Sequence, residues 1–243
     1  MNLKNKVVII TGASRGLGRK LAFDLAKKKA KLVLFSRNQK DLIEVKRIIV
    51  KKYKGKVITV DGDISDFHDV KRLFLKCMKE YEKIDILICN AGVNYKKPFY
   101  ELEEAEWNSI FNTNVKGVFL CTKENNKHMK KGKIVIISSV AGWFGAKNYA
   151  AYCASKHAIE GYAKGMKKDL KNKIKINIFH PYRLNTDFHK NYSIKSPMAH
   201  KIKPKLYSEY IISVLEGKYI SASMIFIRNW AIRLSQILFS KKT

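Results

Sequence analysis

Six short apolar, β-branched runs recur along the chain with amphipathic helical patterns between them. They are Val7 to Ile10, Leu32 to Phe35, Val57 to Val60, Ile86 to Cys89, Ile134 to Ile137 and Ile174 to Phe179. A strand that reads as a continuous apolar run is buried on both faces, and the intervening helices are what cover it. The alternation therefore specifies an α/β domain built on a parallel sheet. In the first helix Leu17, Leu21 and Leu25 fall at four-residue spacing, one stripe that packs on the sheet. A seventh strand is expected within Tyr219 to Ile227 and a last helix around Trp230 to Phe239. The result is one doubly wound domain over residues 1–243, with a seven-stranded parallel sheet and helices on both faces. With 243 residues, 46% of them hydrophobic, the chain can bury such a core without a second domain. No linker, internal repeat or low-complexity tract marks a boundary. Ligands of doubly wound folds bind at the carboxyl ends of the strands, so the residues after each run are where chemistry is sought.

After the first run comes Thr11-Gly12-Ala13-Ser14-Arg15-Gly16-Leu17-Gly18, leading directly into the first helix. Glycines permit a tight turn and close backbone approach, and a helix N-terminus offers free N–H groups and a positive dipole end to a pyrophosphate. The alternative is a plain βα turn; its position between first strand and first helix favours the dinucleotide reading. The second strand ends Phe35-Ser36-Arg37-Asn38, without the carboxylate that would accept hydrogen bonds from a ribose 2′-hydroxyl. Arg37 and Arg15 suit a clamp on a 2′-phosphate, which points to NADP(H); the competing reading is two surface arginines. Asp63-Ile64 follows the third strand, at the expected adenine edge. Asn90-Ala91-Gly92 follows the fourth, as a small-residue turn past the cofactor.

Hydride transfer to a carbonyl needs a proton donor at the oxygen. In Tyr152-Cys153-Ala154-Ser155-Lys156 the phenol and the ammonium lie one helical turn apart, and the ammonium together with a positive nicotinamide is expected to favour the phenolate. The fifth strand delivers Ser138-Ser139 at its carboxyl end. Ser139 is the candidate to hydrogen-bond substrate oxygen and phenol, with Ser138 its competitor. Asn114, in Asn112-Thr113-Asn114-Val115, sits inside a helical segment where asparagine is unfavourable without a task. Holding a water that joins Lys156 to solvent is one such task; a kink or a cap is the other.

Taken together, TGASRGLG (11–18), SRN (36–38), DI (63–64), CNAG (89–92), NTNV (112–115), ISSVAG (137–142), YCASK (152–156) and HPYRLNT (180–186) resemble the short-chain dehydrogenase/reductase family over nearly all of residues 5–190. The resemblance implies a Rossmann-type fold, with Ser139, Tyr152, Lys156 and Asn114 as the catalytic set. It implies Tyr152 as acid/base, Lys156 also binding the nicotinamide ribose, and NADPH because arginines stand at 15 and 37. Pro181, Leu184 and Thr186 fall where the family contacts the nicotinamide carboxamide. Three departures stand out. Tyr182 replaces the usual glycine after Pro181, and its ring is expected in the substrate space. Cys89 stands where asparagine is frequent. The C-terminal stretch lacks the glycine-rich segment of tetrameric ketoacyl-carrier reductases. A homodimer is expected, with a tetramer as the alternative.

The substrate wall is expected from Val93 to Phe99, Trp143 to Tyr149, Tyr182 and a loop over 187–205. Trp143, Phe144, Tyr149, Tyr95 and Phe99 suit a small-molecule hydrophobic ketone, aldehyde or alcohol. Lys96, Lys97, Lys147, Lys190 and Lys195 suit instead an anionic carrier or carboxylate. Over 228–243 an amphipathic helix is expected. Ile227, Trp230, Leu234, Ile237 and Leu238 would form its apolar stripe, with Arg228, Arg233, Lys241 and Lys242 available for anionic headgroups. Peripheral membrane contact, core packing and a dimer contact are its three readings. The chain opens almost directly on an apolar run, without a signal-peptide pattern, so a cytoplasmic location is expected. Its net charge of +29 is mostly lysine and raises a nucleic-acid hypothesis. Pairs such as Lys51-Lys52, Lys130-Lys131 and Lys167-Lys168 fall on separate helix faces with no recognition signature, so no specific nucleic-acid partner is expected. Cys77, Cys89, Cys121 and Cys153 have no metal-ligand spacing and read as reduced, buried thiols, and no metal is expected. A membrane-associated lipid or acyl-chain ketoreductase is one alternative; a non-catalytic NADPH-binding scaffold is another, and it would need damage among the four catalytic positions.

Overall fold

The computed structural model describes residues 1–170, 173–182, 184, 186 and 203–218. Six strands form one parallel sheet: β1 (Val7–Thr11), β2 (Lys31–Ser36), β3 (Val57–Asp61), β4 (Ile86–Cys89), β5 (Gly132–Ile137) and β6 (Ile174–Phe179). Their order across the sheet is β3-β2-β1-β4-β5-β6. The chain thus leaves β1 in one direction and resumes at β4 on its other side, and the crevice between the two halves opens at the ends of β1 and β4. The expected seventh strand and the 228–243 helix lie outside the described residues, as does most of the 187–205 loop. The end of that loop is corrected: residues 204 and 205 already belong to a helix.

The helices are α1 (Gly16–Lys27), α2 (Gln39–Tyr53), α3 (Phe67–Tyr81), α4 (Glu104–Phe111), α5 (Gly117–His128), α6 (Ala150–Asp169) and α7 (Pro204–Glu216). Alternation along each strand divides the core. Val8 and Ile10 face α1, α2 and α7, whereas Val7 and Ile9 face α3, α5 and α6. The Leu17, Leu21 and Leu25 stripe lies in the first layer, fully buried at its last two positions. Local chemistry sets the helix starts. Asn38 accepts the Asp41 N–H at 3.0 Å, and Asp66 accepts the Asp69 N–H at 2.8 Å. Between α4 and α5 the helix widens into one π turn, Asn112–Lys116, instead of running on as a plain helix. Such turns mark places where backbone geometry is bent to a purpose. All four cysteines are free and buried. Among the described residues no helix is long and apolar enough to cross a membrane.

Leu21 carries the α1 stripe at zero exposure. Leu21→Ala is expected to cost about 2–5 kcal/mol in chemical denaturation; a loss below about 1 kcal/mol would show that α1 is not held by this stripe.

Candidate active site

The carboxyl ends of the strands surround a cleft of about 630 Å³. At its base, Thr11 and Asn90 tie β1 to β4. The Asn90 and Ala91 N–H groups both donate to Thr11 Oγ1 at 3.0 Å. The Asn90 amide donates to the carbonyls of Thr11 at 2.9 Å and Gly12 at 3.1 Å. Two glycines are required by this closeness. A Cβ on Gly12, whose φ is +63°, would lie 2.9 Å from Ala91 Cα, and one on Gly18 would lie 2.3 Å from the Gly12 carbonyl oxygen. Gly18 thus packs the turn and does not line the cleft, unlike Gly12, Ser14, Arg15, Gly16 and Leu17.

On one flank the cleft is bounded by Ser36, Arg37, Asn38, Asp63 and Ile64. Arg37 is exposed, with a guanidinium nitrogen 3.8 Å from one Asp63 carboxylate oxygen. The other oxygen accepts from the Ser65 N–H and hydroxyl at 2.8 and 2.7 Å. Exposed and slightly long, the Arg37 pair holds the cation at the cleft mouth and is worth little in stability. Asn90, Ala91 and Gly92 line the middle, and Pro181, Leu184 and Thr186 the far flank, where Thr186 borders Gly16.

Ser139, Tyr152 and Lys156 come together on the inner wall. Lys156 Nζ lies 5.5 Å from the centre of the Tyr152 ring and donates to the Ile137 carbonyl at 3.1 Å. The phenol titrates above its ordinary range because burial penalises its charged form; its hydrogen bond with Ser139 acts in the opposite direction. Burial likewise brings Lys156 down to about 8, opposed by the Glu160 carboxylate. Without a nicotinamide, desolvation favours the protonated phenol.

Asn114 is fully buried and does not line the cleft. Its carbonyl oxygen accepts the Val93 N–H at 2.8 Å, and its amide donates to the Val93 carbonyl at 3.0 Å and to Ser155 Oγ at 3.1 Å. The side chain is occupied in joining the π turn, the irregular segment after β4 and α6. Ser138 is buried in the same wall, and its hydroxyl has no hydrogen-bond partner among the described residues. Of the expected substrate residues, Tyr149 and Tyr182 line the cleft and Phe144 joins them. Trp143 does not: it is 56% exposed and its ring centre lies 4.2 Å from that of His180. Tyr95 and Phe99 also stay outside, and Lys97 is paired with Glu106 at 2.8 Å. The pair between Glu160 and His180, 2.8 Å apart behind Lys156, was not singled out in the sequence. Its signal was a carboxylate one helical turn beyond Lys156.

The chain belongs to the short-chain dehydrogenase family, whose sequence model, described as short chain dehydrogenase, matches residues 6–196. It is thereby an oxidoreductase of that class. It is 33% identical over 192 residues to a hydroxynaphthalene reductase-like protein of Metarhizium anisopliae, covering 77% of this chain and 72% of the relative. Among solved structures it is similar to a 3-ketoacyl-(acyl-carrier-protein) reductase from Brucella melitensis complexed with NADH. The identity is 27% and the TM-score 0.81, over 88% of this chain and 91% of that one. An alcohol dehydrogenase from the archaeon Thermococcus sibiricus, complexed with 5-hydroxy-NADP, superposes with a TM-score of 0.82 over 87% and 90% of the two chains. At 23% identity that likeness shows the fold alone.

Removing the Asn114 amide leaves both Val93 backbone groups without their partners. Asn114→Ala is expected to destabilise the fold by about 1–3 kcal/mol in a denaturant titration. An unchanged midpoint would mean that the π turn is held by other contacts.

Proposed function

We propose that the protein is an NADP(H)-dependent reductase of ketones or aldehydes, running in reverse on the corresponding alcohols. The observation that carries this reading is the meeting of Tyr152, Lys156 and Ser139 in the cleft that the glycine turn opens. The cleft fits a dinucleotide. The turn is so close to β4 that Cβ atoms are excluded at Gly12 and Gly18, and it stands at the N-terminus of α1, whose free N–H groups suit a pyrophosphate. Arg15 and Arg37 would hold a 2′-phosphate, which would displace Asp63 as the partner of Arg37. Asp63 and Ile64 would border the adenine, with Asn90 to Gly92 behind the riboses. Pro181, Leu184 and Thr186 would face the carboxamide, and Lys156 the nicotinamide ribose.

When bound, the nicotinamide supplies or accepts the hydride. Everything else falls to the side chains. Ser139 donates a hydrogen bond to the substrate oxygen. Tyr152, kept protonated by burial, gives its proton to that oxygen as negative charge develops on it. The Lys156 ammonium, pinned by the Ile137 carbonyl, stabilises the phenolate left behind. Phe144, Tyr149 and Tyr182 make the substrate side aromatic, which suits a hydrophobic carbonyl compound.

Tyr152→Phe is expected to lower carbonyl reduction by about 100-fold or more while leaving NADPH binding, read by its fluorescence, within about twofold. Retained turnover would assign the proton to another group. Arg37→Ala is expected to weaken NADPH by about tenfold and NADH far less; equal losses would remove the 2′-phosphate reading. Because Lys156 works as a cation and titrates at about 8, the reduction rate is expected to fall as pH rises through that value. A rate that stays flat to pH 10 would contradict this role (the test range being about two units above the midpoint).

A further inference from the structure

We propose that Glu160 and His180 form a positioning pair that keeps Lys156 cationic and fixes α6 to the cleft-lining segment beyond β6. The catalytic consequence rests on the reductase reading; the electrostatic one does not. Glu160 lies one helical turn beyond Lys156 on α6 and is 8% exposed, and Oε1 of its carboxylate is 2.8 Å from His180 Nε2. A carboxylate this enclosed is costly unless it is hydrogen-bonded and faces positive charge. His180 supplies the hydrogen bond, and Lys156 is the cation on whose titration this carboxylate acts, against burial.

The surroundings are built for the pair. The Trp143 ring covers His180 at 4.2 Å between centres, which accounts for Trp143 turning away from the cleft. A Cβ on Gly142 would come within 3.2 Å of Ser138 Oγ and the Lys156 carbonyl oxygen, and 3.3 Å of Glu160 Cγ. The short turn after β5 therefore presses directly on the same spot. His180 is followed at once by Pro181 and Tyr182, both on the cleft wall, and the Pro181 carbonyl accepts the Val140 N–H at 3.3 Å. One hydrogen-bonded pair thus joins the helix bearing the acid to the segment that borders the far flank.

Among the described residues, the titratable groups around Lys156 are few. From α6 come the Tyr152 phenol and the Glu160 carboxylate, with Tyr149 and Cys153 acting on Tyr152. His180 faces Glu160 from beyond β6. The π turn offers the uncharged Asn114, and the end of β5 the hydroxyls of Ser138 and Ser139. Glu160 is the anion in this set, so removing its charge lets the ammonium lose its proton at lower pH.

The test is the pH dependence of Lys156 acetylation by trace acetic anhydride in the full unliganded chain, read by mass spectrometry, with folding checked by circular dichroism. The Lys156 midpoint is expected to fall by about one pH unit in Glu160→Gln, and to stay near wild type in Glu160→Asp, which keeps the charge. His180→Gln, which keeps a donor for Glu160, is expected to leave the midpoint at or above wild type. If Glu160→Gln does not fold, the double variant Glu160→Gln/His180→Gln, an amide pair of similar size, is expected to show the same lowering. A midpoint equal to wild type in the folded charge-free variant overturns the proposal, as does an equal fall in Glu160→Asp. In the turnover arm, the alkaline fall in reduction is expected to move down with the label midpoint, with kcat reduced more than KM changes. A limb that stays in place while the midpoint moves overturns the catalytic part. A wild type inert toward every carbonyl tested bears on the reductase reading alone, because labelling is read without substrate.

Discussion

The hydrogen bonds exchanged by Thr11 and Asn90 hold the ends of β1 and β4 against each other where the two halves of the sheet diverge. Every later feature of the cleft inherits its position from this joint. It forces the glycine turn so near Ala91 that side chains are excluded, and it aims the N-terminus of α1 at the crevice. The buried strands behind it, with Val7 to Ile10 fully enclosed, allow little compensating movement. A close-packed interior transmits displacement and does not absorb it.

A second constraint is the contest between burial and charge on the inner wall. Desolvation alone pushes Tyr152 and Lys156 toward their neutral forms, the phenol up and the amine down. As the proposed proton donor, neutral before the reaction and charged after it, Tyr152 would benefit from the first effect. It depends on limiting the second. The Ile137 carbonyl and the Glu160 carboxylate both oppose the loss of the Lys156 proton, one by hydrogen bonding and one by charge. Asn114 acts at one remove, locking α6 through Ser155 to the backbone of Val93.

The sheet and its parallel sense were legible because buried strands are apolar throughout and their cores match the observed bounds to within a residue or two. The glycine turn and the Tyr152/Lys156 spacing were legible because each is a local pattern on one element. What escaped depends on contacts between elements distant in sequence. Asn114 reads locally as a misfit in a helix, and its partners lie 21 and 41 residues away. Trp143 reads as a wall residue from its place in the segment after β5, yet His180, just beyond the neighbouring strand β6, captures its ring. Proximity of charges is visible in a sequence, whereas the depth of burial that opposes the Tyr152 phenolate is not.

Hydride transfer between a nicotinamide and a carbonyl carbon is the work proposed for this cleft. Turnover of a panel of hydrophobic ketones and aldehydes with NADPH deuterated at the nicotinamide C4 position, followed by mass spectrometry of the products, measures that transfer directly. Deuterium is expected on the reduced carbon, with the hydroxyl proton drawn from solvent. Products lacking the label, or no reduced product from protein that is folded and binds NADPH, would contradict it.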